Sequence, residues 1–193
     1  LFIQKITDKG YTLTDIWLTH WHNDHMNAVD EIANKTGASI TAGINEIPYL
    51  DIKNPIKTVD DKDTVTLGAT SATIINTPGH TAGGVCYLLD GHLIAGDSLF
   101  VYGAGHCAMP GADANVLFHS MQKLKQIEDE VLLHCGHDYG SQITTTMAQQ
   151  KSGNPFLMID NEDDFVRYRN HIHDGSRTYP MQPVSQQALD ALL

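Results

Sequence analysis

The stretch Thr19-His20-Trp21-His22-Asn23-Asp24-His25-Met26 places three histidines and one aspartate within six positions, from His20 to His25. Neutral imidazole and carboxylate are the usual protein ligands of zinc and of non-haem iron. The residues just before it, Asp15 to Thr19, are mostly apolar and β-prone, which predicts a buried strand. We therefore expect a metal site in the loop that follows this strand; the alternative is a surface loop rich in histidine.

The spacing within this stretch predicts two groups of ligands. If the backbone stays extended at His20 and His22, their side chains point the same way, because side chains alternate along a strand. Asp24 and His25 then lie past the bend, where their side chains can bind metal at a second position.

Three further motifs follow in the chain, and each comes after a predicted strand. They are Thr77-Pro78-Gly79-His80-Thr81, Gly96-Asp97-Ser98-Leu99-Phe100 and Cys135-Gly136-His137-Asp138-Tyr139. Any one of them is a weak signal, but the four in this order resemble the signature of the metallo-β-lactamase superfamily. That resemblance implies an α/β fold, the four-layer αβ/βα sandwich, with every metal motif in a loop at one edge of two packed sheets.

The resemblance also implies a ligand set for two divalent ions, zinc first, with Fe2+ and Mn2+ as alternatives. His20, His22 and His80 would hold one ion. Asp24, His25 and His137 would hold the second, and Asp97 would bridge the two. A metal-bound hydroxide would then be the nucleophile, with Asp24 and Asp97 acting in catalysis as well as in metal binding.

Two residues are expected to bind substrate. In thioester-cleaving relatives a tyrosine at the position of Tyr139 contacts glutathione. His106 lies in the Gly-rich segment after Asp97, where relatives line the substrate pocket. Those relatives often carry arginine and aspartate in this segment, whereas Gly105–Pro110 has neither here, so the sequence places no cation beside His106.

Three functions remain open on sequence grounds. The first motif and Asp97 favour the glyoxalase II-like branch, and Asn154-Pro155-Phe156-Leu157 resembles a segment of those hydrolases, so the first expectation is hydrolysis of a thioester or ester. The stretch from Asp164 to Leu193 is more similar to persulfide dioxygenase-like proteins, which use one iron at residues matching His20, His80 and Asp97. The third possibility is a metal-binding domain without catalysis.

The length of the chain limits how many domains it can form. The chain has 193 residues, which suits one domain over residues 1–193 with a C-terminal tail from about residue 152. Only 19 residues precede the first histidine, fewer than the strands that open this fold require, so we expect part of the N-terminal strands to be missing.

Charge and cysteine content indicate the partners and the compartment. The net charge of −11 argues against nucleic acid and anionic membranes as partners, and no apolar run approaches the ~20 residues of a membrane span. The three cysteines are odd in number and lack a pairing pattern, which favours reduced thiols in a cytoplasmic protein. We expect a small-molecule substrate, such as a glutathione conjugate, and allow for a homo-oligomer.

Local patterns predict the remaining elements. Helices are expected over 27–35, ending at Gly37, over 112–127, and over 161–171, with a further helix over 141–151 and an extended tail. Asp90-Gly91 predicts a two-residue hairpin turn. Five histidines outside the motifs are interpreted as surface or capping residues: His92, His119, His134, His171 and His173.

Overall fold

The computed structural model describes residues 2–193, apart from the side chain of Phe2. Its strands form two sheets. The first contains three parallel strands, β1 (Asp15–Trp17), β2 (Ser39–Gly43) and β3 (Ile56–Val59). The second is mixed and contains, in order, β4 (Thr64–Leu67), β5 (Thr70–Asn76), β6 (Val85–Leu89), β7 (His92–Gly96), β8 (Leu132–Cys135) and β9 (Thr145–Thr146).

Helices connect and flank these strands. Before β4 they are α1 (Phe2–Asp8), α2 (Asn23–Met26), α3 (Val29–Thr36) and a 3₁₀ helix, Ile44–Tyr49. After β7 they are α4 (Ala114–Leu124), α5 (Met147–Gly153), α6 (Pro155–Met158) and α7 (Glu162–Arg167), a π-helical turn (Tyr168–Ile172), α8 (His173–Ser176) and α9 (Gln186–Asp190).

The two sheets pack face to face. Val85 and Tyr87 of β6 lie in the core between the sheets, where the Tyr87 ring stacks on Trp17 of β1 at 5.1 Å. Cys86, between them, faces the opposite side, as the alternation of a strand requires. Each sheet therefore has one face toward the other sheet and one face left for helices.

Helices cover both outer faces. Val29 and Ala33 of α3 pack with Ile40 of β2 on the outside of the first sheet. Leu117 and Met121 of α4 belong to the larger core on the outside of the second sheet, together with residues of the tail helices. The order helix, sheet, sheet, helix is the αβ/βα sandwich that the sequence predicts.

Several local predictions are confirmed. Gly37 closes α3 in the left-handed conformation, with φ 74°. Asp90 and Gly91 both have positive φ, 42° and 76°, which is the geometry of a type I′ hairpin between β6 and β7. The helix expected over 112–127 is α4, whose first turn is capped by the Asp113 carboxylate, which accepts from the backbone N–H of Asn115.

Other segments differ from expectation. The segment 141–151 is not one helix, because Thr145–Thr146 pairs with β8 before α5 begins. The tail is not wholly extended, because Ser185 caps α9, whose Leu189 is buried. Local periodicity cannot detect a strand of two residues, since its pairing is provided by a distant partner.

His173 is a further correction, because it is not at the surface. Its side chain is buried, and both ring nitrogens lack a partner among the described residues. Burial, followed by the nearby charges of Arg169 and Arg177, lowers the pKa of His173 to about 3, so the ring is neutral at neutral pH.

Among residues 2–193, no helix combines the length and apolar character needed to cross a bilayer.

Candidate metal centre

The four sequence motifs meet at one edge of the two sheets. The first motif follows β1, the second follows β5, the third follows β7 and the fourth follows β8. Because β7 and β8 are parallel neighbours, with Gly96 paired to Cys135, their ends place Asp97 and His137 side by side. All seven predicted ligands are brought together there: His20, His22, Asp24, His25, His80, Asp97 and His137.

The first group consists of His20, His22 and His80, each with a ring nitrogen within 4.8 Å of the others. His22 is extended, with φ −61° and ψ 142°, so its side chain projects to the same side as that of His20. The Nε2 atom of His80 lies 3.1 Å from Nδ1 of His22. His20 and His22 face the same way, as their spacing predicts, and His80 joins them, as the family resemblance implies.

The tautomer of His80 follows from its other ring nitrogen. Its Nδ1 lies 2.7 Å from the backbone carbonyl oxygen of His106, which can only accept a hydrogen bond. The proton of neutral His80 is therefore on Nδ1, and Nε2 presents a lone pair toward His22. His106 thus contributes its backbone to the site, in addition to its side chain.

The second group consists of Asp24, His25 and His137. The Nε2 atoms of the two histidines are 3.1 Å apart. The Oδ2 atom of Asp24 lies 3.2 Å from Nε2 of His137 and 3.7 Å from Nε2 of His25. Asp24 is the exposed member, with 61% of its side chain accessible, so this group opens to solvent.

Asp97 lies between the two groups. Its Oδ1 is 3.3 Å from Nε2 of His25, and its Oδ2 is 3.3 Å from Nε2 of His137 and 3.9 Å from Nε2 of His80. The carboxylate is almost fully buried, at 9% exposed. One carboxylate therefore faces both groups, which is the position predicted for a bridging ligand.

Burial keeps the first group neutral. Desolvation, reinforced by neighbouring histidines, lowers the pKa of His20 to about 2. Desolvation also lowers the pKa of His80 to about 4 and lowers that of His22. Burial opposes protonation of His25 too, but the neighbouring carboxylates of Asp97 and Asp24 raise the pKa of His25 overall. Neutral imidazole is the form that binds a metal ion.

The donor atoms fit a divalent cation. Within the described part of the chain, Nε2 of His20 and Oδ1 of Asp97 are buried with no hydrogen-bond partner. Buried polar atoms are nearly always partnered, so a cluster of unpartnered lone pairs points to an absent cation. Imidazole nitrogen with carboxylate oxygen is the donor set that zinc, iron and manganese accept.

Two glycines allow the motifs to approach this closely. A Cβ on Gly136 would lie 2.3 Å from Oδ1 of Asp97 and 2.6 Å from Cε1 of His25. A Cβ on Gly105 would lie 2.4 Å from Nδ1 of His80. Glycine at both positions is therefore a requirement of the site's packing, not of backbone conformation.

A cavity of about 700 Å³ opens above the two groups. Both residues predicted to bind substrate, His106 and Tyr139, line it. The Tyr139 ring stacks on the His137 ring, with the ring centres 4.9 Å apart and the planes 8° apart. The His106 ring stacks on the His22 ring, with the ring centres 5.9 Å apart.

Sequence reasoning missed the contribution of the tail to this cavity. Asp174, Arg177 and Tyr179 also line it, although they follow the last metal motif by more than thirty positions. The resemblance of this stretch to persulfide dioxygenase-like proteins assigned these three residues no place in the site, and only the path of the tail over the body brings them there.

Glu46 is a second residue that the sequence did not reveal. Its carboxylate is buried in the 3₁₀ helix and accepts from the backbone N–H of Trp21 at 2.7 Å and that of Gly83 at 2.6 Å. Burial raises the pKa of Glu46, although these N–H groups favour the anion. Because Trp21 separates His20 from His22 and Gly83 closely follows His80, Glu46 ties two ligand-bearing loops together.

We expect Glu46→Gln to loosen this connection. An amide has one oxygen and one NH2 group, so one of the two backbone N–H groups would face a donor, which costs about 2 kcal/mol of unfolding free energy. Denaturant unfolding of the metal-free protein and zinc retention during dialysis would both be measured. Glu31→Gln is the matched control, since Glu31 is exposed on α3. Equal unfolding free energies for Glu46→Gln and Glu31→Gln would contradict this role.

Comparisons with known proteins agree with the geometry. The family model of the metallo-beta-lactamase superfamily matches residues 3–137. The probable polyketide biosynthesis zinc-dependent hydrolase BaeB of Bacillus velezensis is 35% identical over 174 residues, which cover 87% of this chain and 77% of that protein. The hydroxyacylglutathione hydrolase of Maricaulis maris is 30% identical, in an alignment that covers 88% of this chain and 77% of that protein.

Solved structures show the same fold. The crystal structure of ETHE1 from Myxococcus xanthus superposes with a TM-score of 0.79 and 26% sequence identity, covering 99% of this chain and 79% of that one.

Proposed function

Because this chain belongs to the metallo-β-lactamase superfamily, we propose that it is a metal-dependent hydrolase that cleaves a thioester or a related ester. One observation carries the proposal: two groups of ligand atoms, each within 4.8 Å, meet at a single buried carboxylate, Asp97, whose oxygens lie within 4 Å of His80 in the first group and of His25 and His137 in the second. Two ions that share one carboxylate are typical of hydrolytic binuclear sites.

The ligand assignment is part of this proposal. His20, His22 and His80 would hold one ion, Asp24, His25 and His137 would hold the other, and Asp97 would contact both. When bound, the ions would supply Lewis-acid polarisation of a carbonyl group and acidification of water. Zinc is the first candidate, because the BaeB relative is named as zinc-dependent.

The remaining work falls to the chain's own side chains. Asp24 and Asp97 line the cavity, where their oxygens can accept hydrogen bonds from the attacking water and orient it. His106 holds His80 in the required tautomer through its backbone oxygen. Tyr139, stacked on His137, offers an aromatic wall with a phenol group to the thiol half of the substrate.

The substrate class is inferred from the relatives and from the cavity. The Maricaulis maris relative is named for acylated glutathione, and a cavity of about 700 Å³ accommodates a molecule of that size. We propose that the tail works with the rest of residues 1–193 as one domain, since it supplies part of the cavity wall.

A second candidate is an iron-dependent persulfide dioxygenase. It is favoured by the likeness to ETHE1 across 99% of this chain. Iron would then use His20, His80 and Asp97, which share the buried end of the site. The hydrolase is preferred because the hydrolase relative BaeB is more similar in sequence, at 35% identity against 26% for ETHE1.

Metal content and oxygen dependence test the proposal. We expect about two divalent ions per chain, because seven ligands are assembled. We also expect thiol release from a glutathione thioester under anaerobic conditions, abolished by a chelator and restored by zinc. Elemental analysis and a thiol-release assay would be run beside an oxygen electrode with glutathione persulfide. One iron per chain with oxygen uptake would establish the dioxygenase instead, and no metal after supplementation would exclude both enzymes.

A further inference from the structure

The tail brings a cation to a cavity whose other charged groups are acidic or histidine. Among the described residues that line the cavity, Arg177 is the only lysine or arginine. The whole chain has 12 such residues against 23 acidic ones, so a cation at this place is not a consequence of composition. The sequence shows no cation beside His106, but the fold places one on the cavity wall from a distant segment.

Arg177 is held in place by two contacts. Its Nη1 lies 2.9 Å from Oδ1 of Asp174 in an ion pair, and its guanidinium lies 5.1 Å from the centre of the Tyr179 ring. A guanidinium carries five N–H donors, so most of them remain available to a ligand. Its position is set before any ligand arrives, which reduces the entropy lost on binding.

The charge of Arg177 is not required to neutralise Asp174. The carboxylate of Asp174 already accepts from Nη2 of Arg169 at 2.6 Å. Arg169 is buried, at 2% exposed, and also lies over the ring of Phe156, so it depends on Asp174 for its counter-charge. Two guanidinium groups share one carboxylate, which leaves one positive charge in excess, on the residue that lines the cavity.

A continuous aromatic wall joins the candidate metal centre to this cation. The ring of His137 stacks on Tyr139 at 4.9 Å, and Tyr139 meets Tyr179 edge-on at 5.7 Å. The guanidinium of Arg177 in turn lies over the face of the Tyr179 ring. A substrate whose reacting carbonyl lies at His137 would extend its thiol half along these rings toward Arg177.

We propose that Arg177, positioned by Asp174 and Tyr179, binds a carboxylate on the thiol half of the substrate. This inference rests on the proposed hydrolase function and adds a specificity to it: thiol carriers that end in a carboxylate are selected over neutral ones. Guanidinium and carboxylate form charge-assisted hydrogen bonds in parallel geometry, which suits this recognition.

The test compares two thioesters with the same acyl group. One is carried by glutathione, which has carboxylates, and the other by N-acetylcysteamine, which has none. In the zinc-loaded protein, Arg177→Gln should lower the ratio of kcat/KM for the glutathione thioester to that for the neutral thioester by about tenfold or more, mainly through KM. Arg177→Lys should lie between wild type and Arg177→Gln, because lysine keeps the charge without the planar fork.

Arg167→Gln is the matched control. It removes the same charge from a tail arginine that pairs with Asp164 and does not line the cavity. If Arg177→Gln and Arg167→Gln leave the same substrate ratio, the proposed subsite is wrong, while hydrolysis by the wild type would still support the proposed function.

A binding measurement keeps the inference testable without turnover. S-Methylglutathione has the same carboxylates and cannot be cleaved as a thioester. Calorimetric titration should show at least about tenfold weaker binding to Arg177→Gln than to wild type. Equal binding by the two proteins, or no binding by wild type, would overturn the subsite. A wild type that binds this thioether at least about tenfold more tightly than Arg177→Gln does, but releases no thiol from either thioester, would refute the hydrolase while supporting the subsite.

Discussion

Replacing Asp97 by alanine is expected to lower turnover at least ~100-fold while the fold is retained. The oxygens of Asp97 lie within 4 Å of ring nitrogens from both ligand groups, His25 and His137 in one and His80 in the other. Loss of this carboxylate would leave the two ligand groups without the anion that they share. The fold should persist because the site lies in loops beyond the ends of the strands.

The measurement is steady-state thiol release at saturating zinc, with metal content determined on the same samples. Asp97→Asn would separate charge from packing, since the amide keeps the shape and removes the negative charge. Asp138→Ala is the control, because Asp138 is an exposed carboxylate next to His137. Near-normal turnover by a fully metal-loaded Asp97→Ala protein would show that the site is misassigned.

Gly136→Ala is expected to have a comparable effect on activity with a small effect on stability. The added methyl group would lie 2.3 Å from Oδ1 of Asp97 and 2.6 Å from Cε1 of His25, so both side chains must move. These atoms are the ends of side chains, so the displacement costs the fold little, but it moves two proposed ligands. Turnover should fall by about 100-fold, with loss of at least one ion per chain.

Gly175→Ala is the matched control, because a Cβ at Gly175 meets nothing within 4 Å. Zinc content, turnover and the thermal unfolding midpoint would be compared for the two variants. If Gly136→Ala retained two ions and normal turnover, then Asp97 and His25 would not be ligands in the arrangement proposed.

The layered fold and the candidate metal centre were largely predictable because their signals are local. Side-chain alternation in β6 and the helical period of α4 are set by hydrophobic pattern, and the turn at Asp90-Gly91 by backbone preference. The ligand motifs sit where predicted strands end, so strand prediction also located them. Tyr139, which lines the cavity, was predicted to bind substrate from the resemblance to thioester-cleaving relatives.

The residues that were missed depend on contacts between distant segments. Glu46 reaches Trp21 and Gly83 only because β2 and the turn after His80 lie close together in the fold. The position of Arg177 depends on how the tail returns over the body, where Gly140 pairs with Met181 in an isolated bridge. Neither contact leaves a periodic or compositional trace in the sequence.

The strands on either side of Asp60–Asp63 show the same limit. The strand before this polar turn, β3, belongs to the first sheet and the strand after it, β4, to the second, so the turn crosses from one sheet to the other. A polar turn indicates a change of direction, whereas the choice of sheet is made by packing partners such as Val59 and Val65, which meet in the core between the sheets.

The candidate centre joins chain segments that are far apart in sequence, and this has a kinetic consequence. The Nε2 atoms of His25 and His137 are 3.1 Å apart although 112 residues separate them. Such a contact forms only after a long loop has closed, which is a slow and late event in folding. A cation can engage the whole ligand set only once both sheets have docked, so it stabilises the native state more than the transition state. Metal binding would then slow unfolding much more than it accelerates folding, and metal supply would govern how long each molecule survives after it has folded.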